Sequence, residues 1–233
     1  MKNTNIQACL LAGLLCTSFF TFASGMKPAT SVVLVDAGKG EYSMVVENTD
    51  ATPALLYTSL QNIDEDKEKL LLVTPPVARV EAGGSQLVRF IMQTHEPLKT
   101  QRLMRVFFEG IPQAAAKGKN TLGVNVRQNL PVIISPPELI NERQPWKYLT
   151  ASVCNGQLRI NNDSPYVVRL AQAGTALPAS SKFQLPKTYI LPQTRVSVQV
   201  KSTAGITSVR VHPASVYGFA VKHFDVAITA CEK

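Results

Sequence analysis

The stretch LGVNVRQNLPVII, residues 122–134, carries apolar side chains at alternate positions. They occupy the even-numbered sites, and Gln128 alone interrupts the series: Leu122, Val124, Val126, Leu130, Val132, Ile134. A period of two places all of them on one face of an extended strand. Pro131 has no backbone N–H to donate, which favours the edge of a sheet over its centre. The pattern therefore predicts an edge strand with an apolar face.

An apolar edge strand is unusual in a soluble protein, because its unpaired backbone is a template for pairing with another chain. Most proteins protect such edges with charged side chains. We interpret this strand as a means of adding a strand to a partner protein. The alternative interpretation is that these side chains face the core of their own domain.

The N-terminus is typical of a secretory signal peptide, which we assign to residues 1–25. It combines a positive Lys2, an uncharged stretch over residues 6–22 and small residues at 23–25. A retained membrane anchor is the alternative, but the apolar run is short for a bilayer span. No later segment approaches the length of a span, so we expect an exported, periplasmic chain that does not insert into a membrane.

The chain has 233 residues and a formal net charge of +8. One of these positive charges, on Lys2, would be removed with the predicted signal peptide. The basic residues are scattered along the sequence, and aromatic residues make up only 7% of it. Nucleic-acid binding usually needs clustered bases with interleaved aromatic side chains. The composition therefore indicates general solubility and no nucleic-acid partner.

Two of the four cysteines, Cys9 and Cys16, lie in the predicted leader. The remaining pair, Cys154 and Cys231, predicts a disulfide in an oxidising compartment. No Cys-x-x-Cys motif is present. We therefore expect this bond to be a structural crosslink.

The rest of the chain reads as short β-type runs separated by turn residues, which predicts an all-β protein with two immunoglobulin-like sandwich domains. We place the domains at residues 26–136 and 137–233, joined at the two prolines that follow Ser135. Asn155-Gly156 is a two-residue hairpin signal. The predicted runs before the join are 32–35, 42–46, 54–60, 69–73, 87–92, 103–108 and 122–134. After the join they are 149–153, 158–161, 167–172, 189–191, 196–200, 209–211 and 219–228.

The sequence offers no motif for catalysis, a cofactor or a metal ion. His95, His212 and His223 are far apart, and none has metal-ligand spacing to another ligand type. Nucleophile-elbow and phosphate-binding glycine motifs are also missing. A catalytic group can still assemble from distant residues, so an enzyme on a sandwich scaffold remains an alternative.

Three segments together resemble the periplasmic pilus (fimbrial) assembly chaperones of the PapD type. They are TPPVARVEAG at 74–83, RVFFEGIP at 105–112 and NDSPYVV at 162–168. The resemblance implies two immunoglobulin-like domains in an L-shaped arrangement with a cleft between them. It also implies a chaperone that caps pilus subunits by donor-strand complementation and delivers them to an outer-membrane usher. The matching donor positions are Leu122, Val124 and Val126, with Leu130 as an extension.

One family feature is not matched. The best-known members bind the terminal carboxylate of the subunit with two basic residues, and Val32 and Pro131 occupy those positions here. Other arginines must then provide a bidentate partner for a carboxylate. Our candidates are Arg89 and Arg127, then Arg102 and Arg105, with Lys27 if the first strand starts early. Ordinary ion pairs are the alternative for each. The spacing of Arg127 and Pro131 and the segment PPVARVEAG at 75–83 resemble the divergent branch called archaic.

Two other functions remain open at this stage. A pilus or surface subunit usually has one incomplete sandwich and an N-terminal donor extension, whereas here the alternating strand lies in mid-sequence. Another periplasmic immunoglobulin-like binding protein would share the fold without the donor strand.

Overall fold

The computed structural model describes residues 25–93, 96–113 and 125–231. Over these residues the chain forms two β-sandwich domains with little helix. The strands of the first domain are β1 Met26–Pro28, β2 Val33–Asp36, β3 Glu41–Asn48, β4 Ala54–Asn62, β5 Leu71–Thr74, β6 Val77–Val80, β7 Ser85–Met92, β8 Arg102–Pro112 and β9 Arg127–Ser135. Those of the second domain are β10 Leu149–Cys154, β11 Gln157–Asn162, β12 Val168–Arg169, β13 Ala173–Leu177, β14 Ser181–Gln184, β15 Tyr189–Ile190, β16 Thr194–Val198, β17 Ser208–Val211 and β18 Phe224–Thr229. Short 3-10 helices occupy Ala37–Lys39 and Pro145–Tyr148.

The first domain packs two sheets face to face. Sheet I has the order β1-β3-β7-β5, and sheet II has the order β2-β9-β8-β4-β6. Alternating side chains from both sheets fill the core, with Phe90 from sheet I and Phe108 from sheet II fully buried. Burial of each such side chain stabilises the domain by about 1.5–3 kcal/mol. The period-two pattern of the sequence is thus the pattern of sandwich packing.

The first two strands belong to different sheets. β1 pairs with β3 in sheet I, whereas β2 runs parallel to β9 in sheet II. The chain crosses between the sheets over residues 29–32. Because β2 begins only at Val33, it covers only part of the edge of β9.

The second domain is built on sheet III, with the order β14-β13-β17-β18-β10-β11-β16, and on the pair β12-β15. Asn155 and Gly156 both have positive φ and connect β10 to β11, which confirms the predicted hairpin. β18 lies parallel to β10 and brings the C-terminus back to the end of this hairpin.

The Cys154–Cys231 disulfide is confirmed, with the two Cα atoms 5.4 Å apart. It links residues 77 positions apart. Closing a loop of that length stabilises the fold by about 4.5 kcal/mol in the chain-entropy account. The bond ties the last strand of the second domain to its first.

Four strands were not predicted from the sequence: β1, β6, β13 and β14. They are short, and β13 starts with the small residues Ala173 and Gly174, so their local pattern is weak. Hydrogen bonds to neighbouring strands in the sheets hold these segments in the extended conformation. The run 219–228 was predicted too long, because the strand begins at Phe224 and the preceding residues form a loop. The boundary after Pro136 remains a prediction, and it falls between β9 and the 3-10 helix at Pro145.

Candidate partner-binding edge and interdomain cleft

Strand β9 has a partly free edge. It pairs with β8 from Arg127 to Ile134, but on its other side β2 pairs only with residues 132–135. Among the described residues, no strand pairs with residues 127–131 on that side. Pro131 lies where the free part of the edge meets the paired part. Within the described residues, the backbone from Arg127 to Pro131 thus has one side without strand pairing.

The even-numbered face of β9 changes from core to surface along the strand. Val132 and Ile134 are fully buried, and Leu130 is half-buried against the core of the first domain. Gln128 is also half-buried, and its side-chain amide donates to the Met26 carbonyl. Val126 is 50% exposed. The two remaining predicted donor residues, Leu122 and Val124, lie outside the described residues.

The change from buried to exposed side chains along β9 bears on both interpretations of the alternating face, as a donor to a partner or as part of the domain's own core. Leu130 packs partly against its own domain, as the alternative interpretation expected, so it is a weaker donor candidate than Val126. Val126, one residue before β9 begins, is the most exposed of the described even-numbered apolar residues.

Gln101, which precedes β8, connects the two domains. Its backbone N–H donates to the Pro165 carbonyl at 2.8 Å, and its side-chain oxygen accepts from the Val167 N–H at 2.9 Å. Its side-chain nitrogen donates to the Ser135 hydroxyl at 3.0 Å. An apolar cluster from both domains packs beside it: Val32, Ile63, Leu103, Ile133, Val167. These contacts join sheet II to the second domain.

The buried Asn162 fixes the segment that Gln101 contacts. Its side-chain amide donates to the carbonyl oxygens of Tyr166, Ile190 and Leu191 at 2.7–3.1 Å. A buried amide with all of its donors engaged holds the surrounding loops in one arrangement. In the sequence, this position stood out only as the first residue of the segment NDSPYVV at 162–168.

An ionic cluster lies at another point of the domain interface. Lys187 of the second domain lies 2.8 Å from a carboxylate oxygen of Glu65 and 3.3 Å from one of Asp64. The Tyr189 hydroxyl donates to Glu65 at 3.1 Å. Burial acts to raise the pKa of Glu65, but the hydrogen bonds from Lys187 and Tyr189 outweigh it and lower that pKa. These groups are substantially exposed, so each contributes little stability by itself.

Two arginines from different domains lie at the domain interface, where the charge of Arg105 acts on Arg169. They line different cavities, Arg105 with Lys187 and Tyr189 and Arg169 with Gln101 and Glu142. The Arg105 guanidinium donates to Asn129, at 2.6 Å to the side-chain oxygen and 3.0 Å to the backbone carbonyl. The Arg169 guanidinium donates to the Ser215 carbonyl at 2.5 Å. Within the described residues neither arginine has a carboxylate within 4.0 Å. Their hydrogen bonds to neutral oxygens leave both charges uncompensated.

The surroundings of these arginines disfavour uncompensated charge. Burial lowers the pKa of Arg105, and burial followed by the nearby Arg105 charge lowers the pKa of Arg169. A guanidinium stays charged in a protein even so, and the lowered pKa reflects the cost of desolvation. An anion bound near either arginine would offset that cost.

Both halves of the chain match the pilus-chaperone sequence profiles. The profile of the pili and flagellar-assembly chaperone PapD N-terminal domain matches residues 25–140, and that of the PapD C-terminal domain matches residues 144–224. The chain belongs to the PapD family of pilus-assembly chaperones. It is a pilus chaperone by family, and the resemblance seen in the sequence is confirmed.

Individual relatives agree with this assignment. The chaperone is 43% identical over 204 residues to the uncharacterized fimbrial chaperone YhcA of Escherichia coli K12, covering 87% of this chain and 90% of that protein. Its fold matches the SafB chaperone, solved in complex with the SafA pilin of Salmonella enterica, with a TM-score of 0.71. That match has 18% identity and covers 89% of this chain and 98% of the other. The CupB2 chaperone of Pseudomonas aeruginosa gives a TM-score of 0.68 at 20% identity, covering 87% and 100%. These two structural matches show the fold alone.

Of the basic residues proposed for the carboxylate, the structure places Arg105 in the cleft. Arg89 lies on sheet I, where it pairs with Glu41. Lys27, also on sheet I, lies 3.8 Å from Glu47. Both residues therefore belong to sheet I, whereas Arg105 belongs to sheet II.

The other two candidates are engaged inside the first domain. Arg102 forms a two-point ion pair with Asp66 at 2.5 and 2.6 Å. Arg127 stacks on the Phe107 ring at 4.0 Å and lies 3.9 Å from Glu109. It is four residues from Pro131, or about 13 Å along the strand. Arg169 was not predicted as a site residue, although it is a single arginine within the apolar run from Val167 to Leu170.

Within the described residues, no group of three or more His, Cys, Asp or Glu side chains is placed to hold a metal ion. No helix of this part of the chain has the length and apolar character that crossing a bilayer requires.

The Asp66–Arg102 pair gives a test of pH dependence. Burial acts to raise the pKa of Asp66, but the Arg102 hydrogen bonds outweigh it and lower that pKa. We expect Asp66→Asn to reduce the free energy of unfolding by about 2 kcal/mol at pH 7. The stabilisation from a carboxylate with a lowered pKa is present above the unfolded value of about 3.9 and is lost as pH falls through the folded value. The difference from wild type should therefore shrink below about pH 4.

Urea unfolding followed by circular dichroism between pH 7 and pH 3 measures this difference. Asp163→Asn is the matched control, because the exposed Asp163 carboxylate forms no ion pair among the described residues. A difference that stays constant across the pH range would show that the Asp66 charge is not its source.

Proposed function

We propose that this chaperone works in the periplasm and holds a pilus subunit by lending it strand β9. The observation that carries the proposal is the free edge at residues 127–131, continued by the exposed side chain of Val126. The free edge has backbone groups that can pair with a strand of the subunit. The face with the even-numbered residues has apolar side chains that can fill a groove in the subunit. A sandwich that lacks one strand needs both.

The physical chemistry of an incomplete sandwich explains the need for a chaperone. Such a subunit exposes an apolar groove and two rows of unpaired backbone groups, and both promote aggregation. A lent strand satisfies the backbone groups and fills the groove. Each apolar side chain buried there contributes about 1.5–3 kcal/mol, before the loss of freedom on association. We propose Val126 with Leu122 and Val124 as the donor residues, and Leu130 as a minor contributor.

The direction of β9 determines where the end of the bound strand lies. β9 runs from its free end toward the domain interface, since Ser135 contacts Gln101. A subunit strand parallel to β9 would therefore end in the cleft. We propose that Arg105 and Arg169 bind the terminal carboxylate there. Charge-assisted hydrogen bonds to an anion would compensate both desolvated guanidinium groups.

Delivery to an outer-membrane usher needs a surface that stays free while β9 is covered. Exposed apolar side chains cluster on the outer face of sheet II near its opposite edge: Leu55, Tyr57, Val77, Ile111. Cross-strand pairing places them side by side, with Leu55 opposite Ile111 and Tyr57 opposite Val77. We propose this patch for contact with the usher. The disulfide is consistent with the oxidising periplasm.

A subunit that already contains its missing strand provides the test. The chaperone would be mixed with a pilus subunit in two forms, one incomplete and one with a donor strand fused to its own terminus. We expect the incomplete form to co-purify with the chaperone and the self-completed form to be lost, because its groove and edge are filled. Equal retention of both forms would contradict strand lending.

A further inference from the structure

The loop from Ser215 to Phe219 is closed by hydrogen bonds and exposes the aromatic side chains of Tyr217 and Phe219. Reciprocal hydrogen bonds close it, since the Ser215 N–H donates to the Phe219 carbonyl at 2.8 Å and the Gly218 N–H donates to the Ser215 carbonyl at 2.8 Å. The Ser31 hydroxyl of the first domain donates to the Tyr217 carbonyl at 2.9 Å. The loop is thus fastened to the segment that connects β1 and β2.

Gly218 is required at the tip of this loop. Its φ of 91° lies in the region that favours glycine, and an added Cβ would come within 2.5 Å of the Ser31 hydroxyl oxygen. The close contact holds the backbone of the loop in place. The neighbouring side chains nevertheless stay in solvent, with Tyr217 51% and Phe219 74% exposed. Exposed aromatic groups on a fixed loop are typical of a binding surface.

These aromatic side chains border a cavity of about 440 Å³. No charged side chain lines it, and its walls come from both domains: Ala29, Val32, Leu34, Tyr42, Tyr217, Phe219. A cavity of this size and composition fits one large apolar side chain. It does not fit a charged group, because no opposite charge is present to compensate it.

The cavity lies where a strand paired with the free edge of β9 would leave the sheet. Such a strand, running from Arg127 toward Pro131, would meet the start of β2 at Val33 and could not continue in the sheet. Val32 and Ser31, which lie immediately before β2, border the cavity. The same loop provides the Ser215 carbonyl that holds Arg169. The cavity and the proposed carboxylate site are therefore neighbours.

We infer that this cavity binds an apolar side chain, aromatic or branched, from one of the last two residues of the bound subunit strand. The inference rests on the proposed function and adds a specificity element to it. β9 itself selects little beyond alternating apolar character. The aromatic cavity would distinguish subunits by the residue next to their terminal carboxylate.

Synthetic peptides test the inference directly. Each would have alternating apolar residues and a free terminal carboxylate, with Phe at the last position, Phe at the next-to-last position, or Ser at both. We expect one of the Phe peptides to bind the wild-type chaperone about tenfold more tightly than the Ser peptide. The Tyr217→Ser/Phe219→Ser variant should bind all three peptides equally. Leu72→Ser, at a similarly exposed position on sheet I, is the control and should retain the preference.

Equal binding of all three peptides to wild type would overturn the inference, as would a Phe preference that survives in the double variant. A double variant that changes self-association of the free chaperone but not peptide affinity would also overturn it and would assign the cavity to a second copy of the chain. Val126→Asp separates this test from the proposed function. If Val126→Asp weakens the binding of every peptide, strand lending is supported independently of the result for the cavity. If it weakens the binding of none, strand lending itself is contradicted.

Discussion

Replacing Val126 by aspartate is expected to abolish retention of an incomplete pilus subunit while leaving the chaperone folded. Val126 is half-exposed in the free protein, so its substitution should change stability by no more than about 0.5 kcal/mol. In the complex the same side chain would lie in an apolar groove. A carboxylate there loses its hydration without gaining a partner. We expect the affinity for the subunit to fall at least about a hundredfold.

Titration of subunit binding by calorimetry measures this loss, and circular dichroism checks the fold. Val45→Asp is the matched control, because Val45 has similar exposure on a strand of sheet I and the substitution is the same. The control should bind normally. If Val126→Asp also bound normally, the donor assignment of the even face would be wrong.

Removing both cleft arginines is expected to weaken subunit binding about a hundredfold. Arg105 and Arg169 lie in different domains, and each forms hydrogen bonds only to neutral oxygens among the described residues. A bound carboxylate would be desolvated and would depend on both of them. The measurement is the Kd of the Arg105→Ala/Arg169→Ala variant for the subunit. Arg105→Lys/Arg169→Lys should be intermediate, because lysine keeps the charge but cannot form the two-point hydrogen bonds of a guanidinium.

A peptide with an amidated terminus shows whether the lost interaction involves the carboxylate. Amidation should weaken binding to wild type and should have no further effect on the double alanine variant, because the two changes remove the same interaction. Arg159→Ala/Arg195→Ala removes two arginines from second-domain strands away from the cleft and should bind normally. Independent, additive effects of amidation and of the cleft substitutions would rule out this site.

Much of the strand content could be predicted from the sequence, because sandwich strands have a local signature. Alternation in β3 and β4 and the turn pair Asn155-Gly156 reflect interactions between residues that are close along the chain. The disulfide could be inferred from the number of cysteines and the expected compartment. The strands missed, such as β13 and β14, are short and are ordered by their neighbours in the sheet. For these strands the deciding contacts are tertiary.

The candidate site was harder to predict because its parts come from different sheets and different domains. Nothing in the local sequence separates Arg89 from Arg105 as a binding residue. In the structure Arg89 lies on sheet I beside Glu41, whereas Arg105 lies in the cleft. Arg102 was predicted as a ligand for the subunit carboxylate. In the structure its guanidinium forms an ion pair with Asp66 instead. Arg169 belongs to the other domain, so no local pattern could have paired it with Arg105.

The sequence by itself determined that the protein is all-β and that one strand alternates apolar side chains on one face. Period-two patterning is a local property, since neighbouring side chains on a strand point to opposite faces whatever surrounds them. Only the tertiary structure decided that residues 127–131 have an unpaired side within the described part of the chain, and that Arg105 and Arg169 from different domains both lie at the domain interface. Both results depend on the crossing of residues 29–32 between the sheets and on the packing of one domain against the other. These contacts join residues that are far apart in the sequence, so the pattern of a single segment does not reveal them.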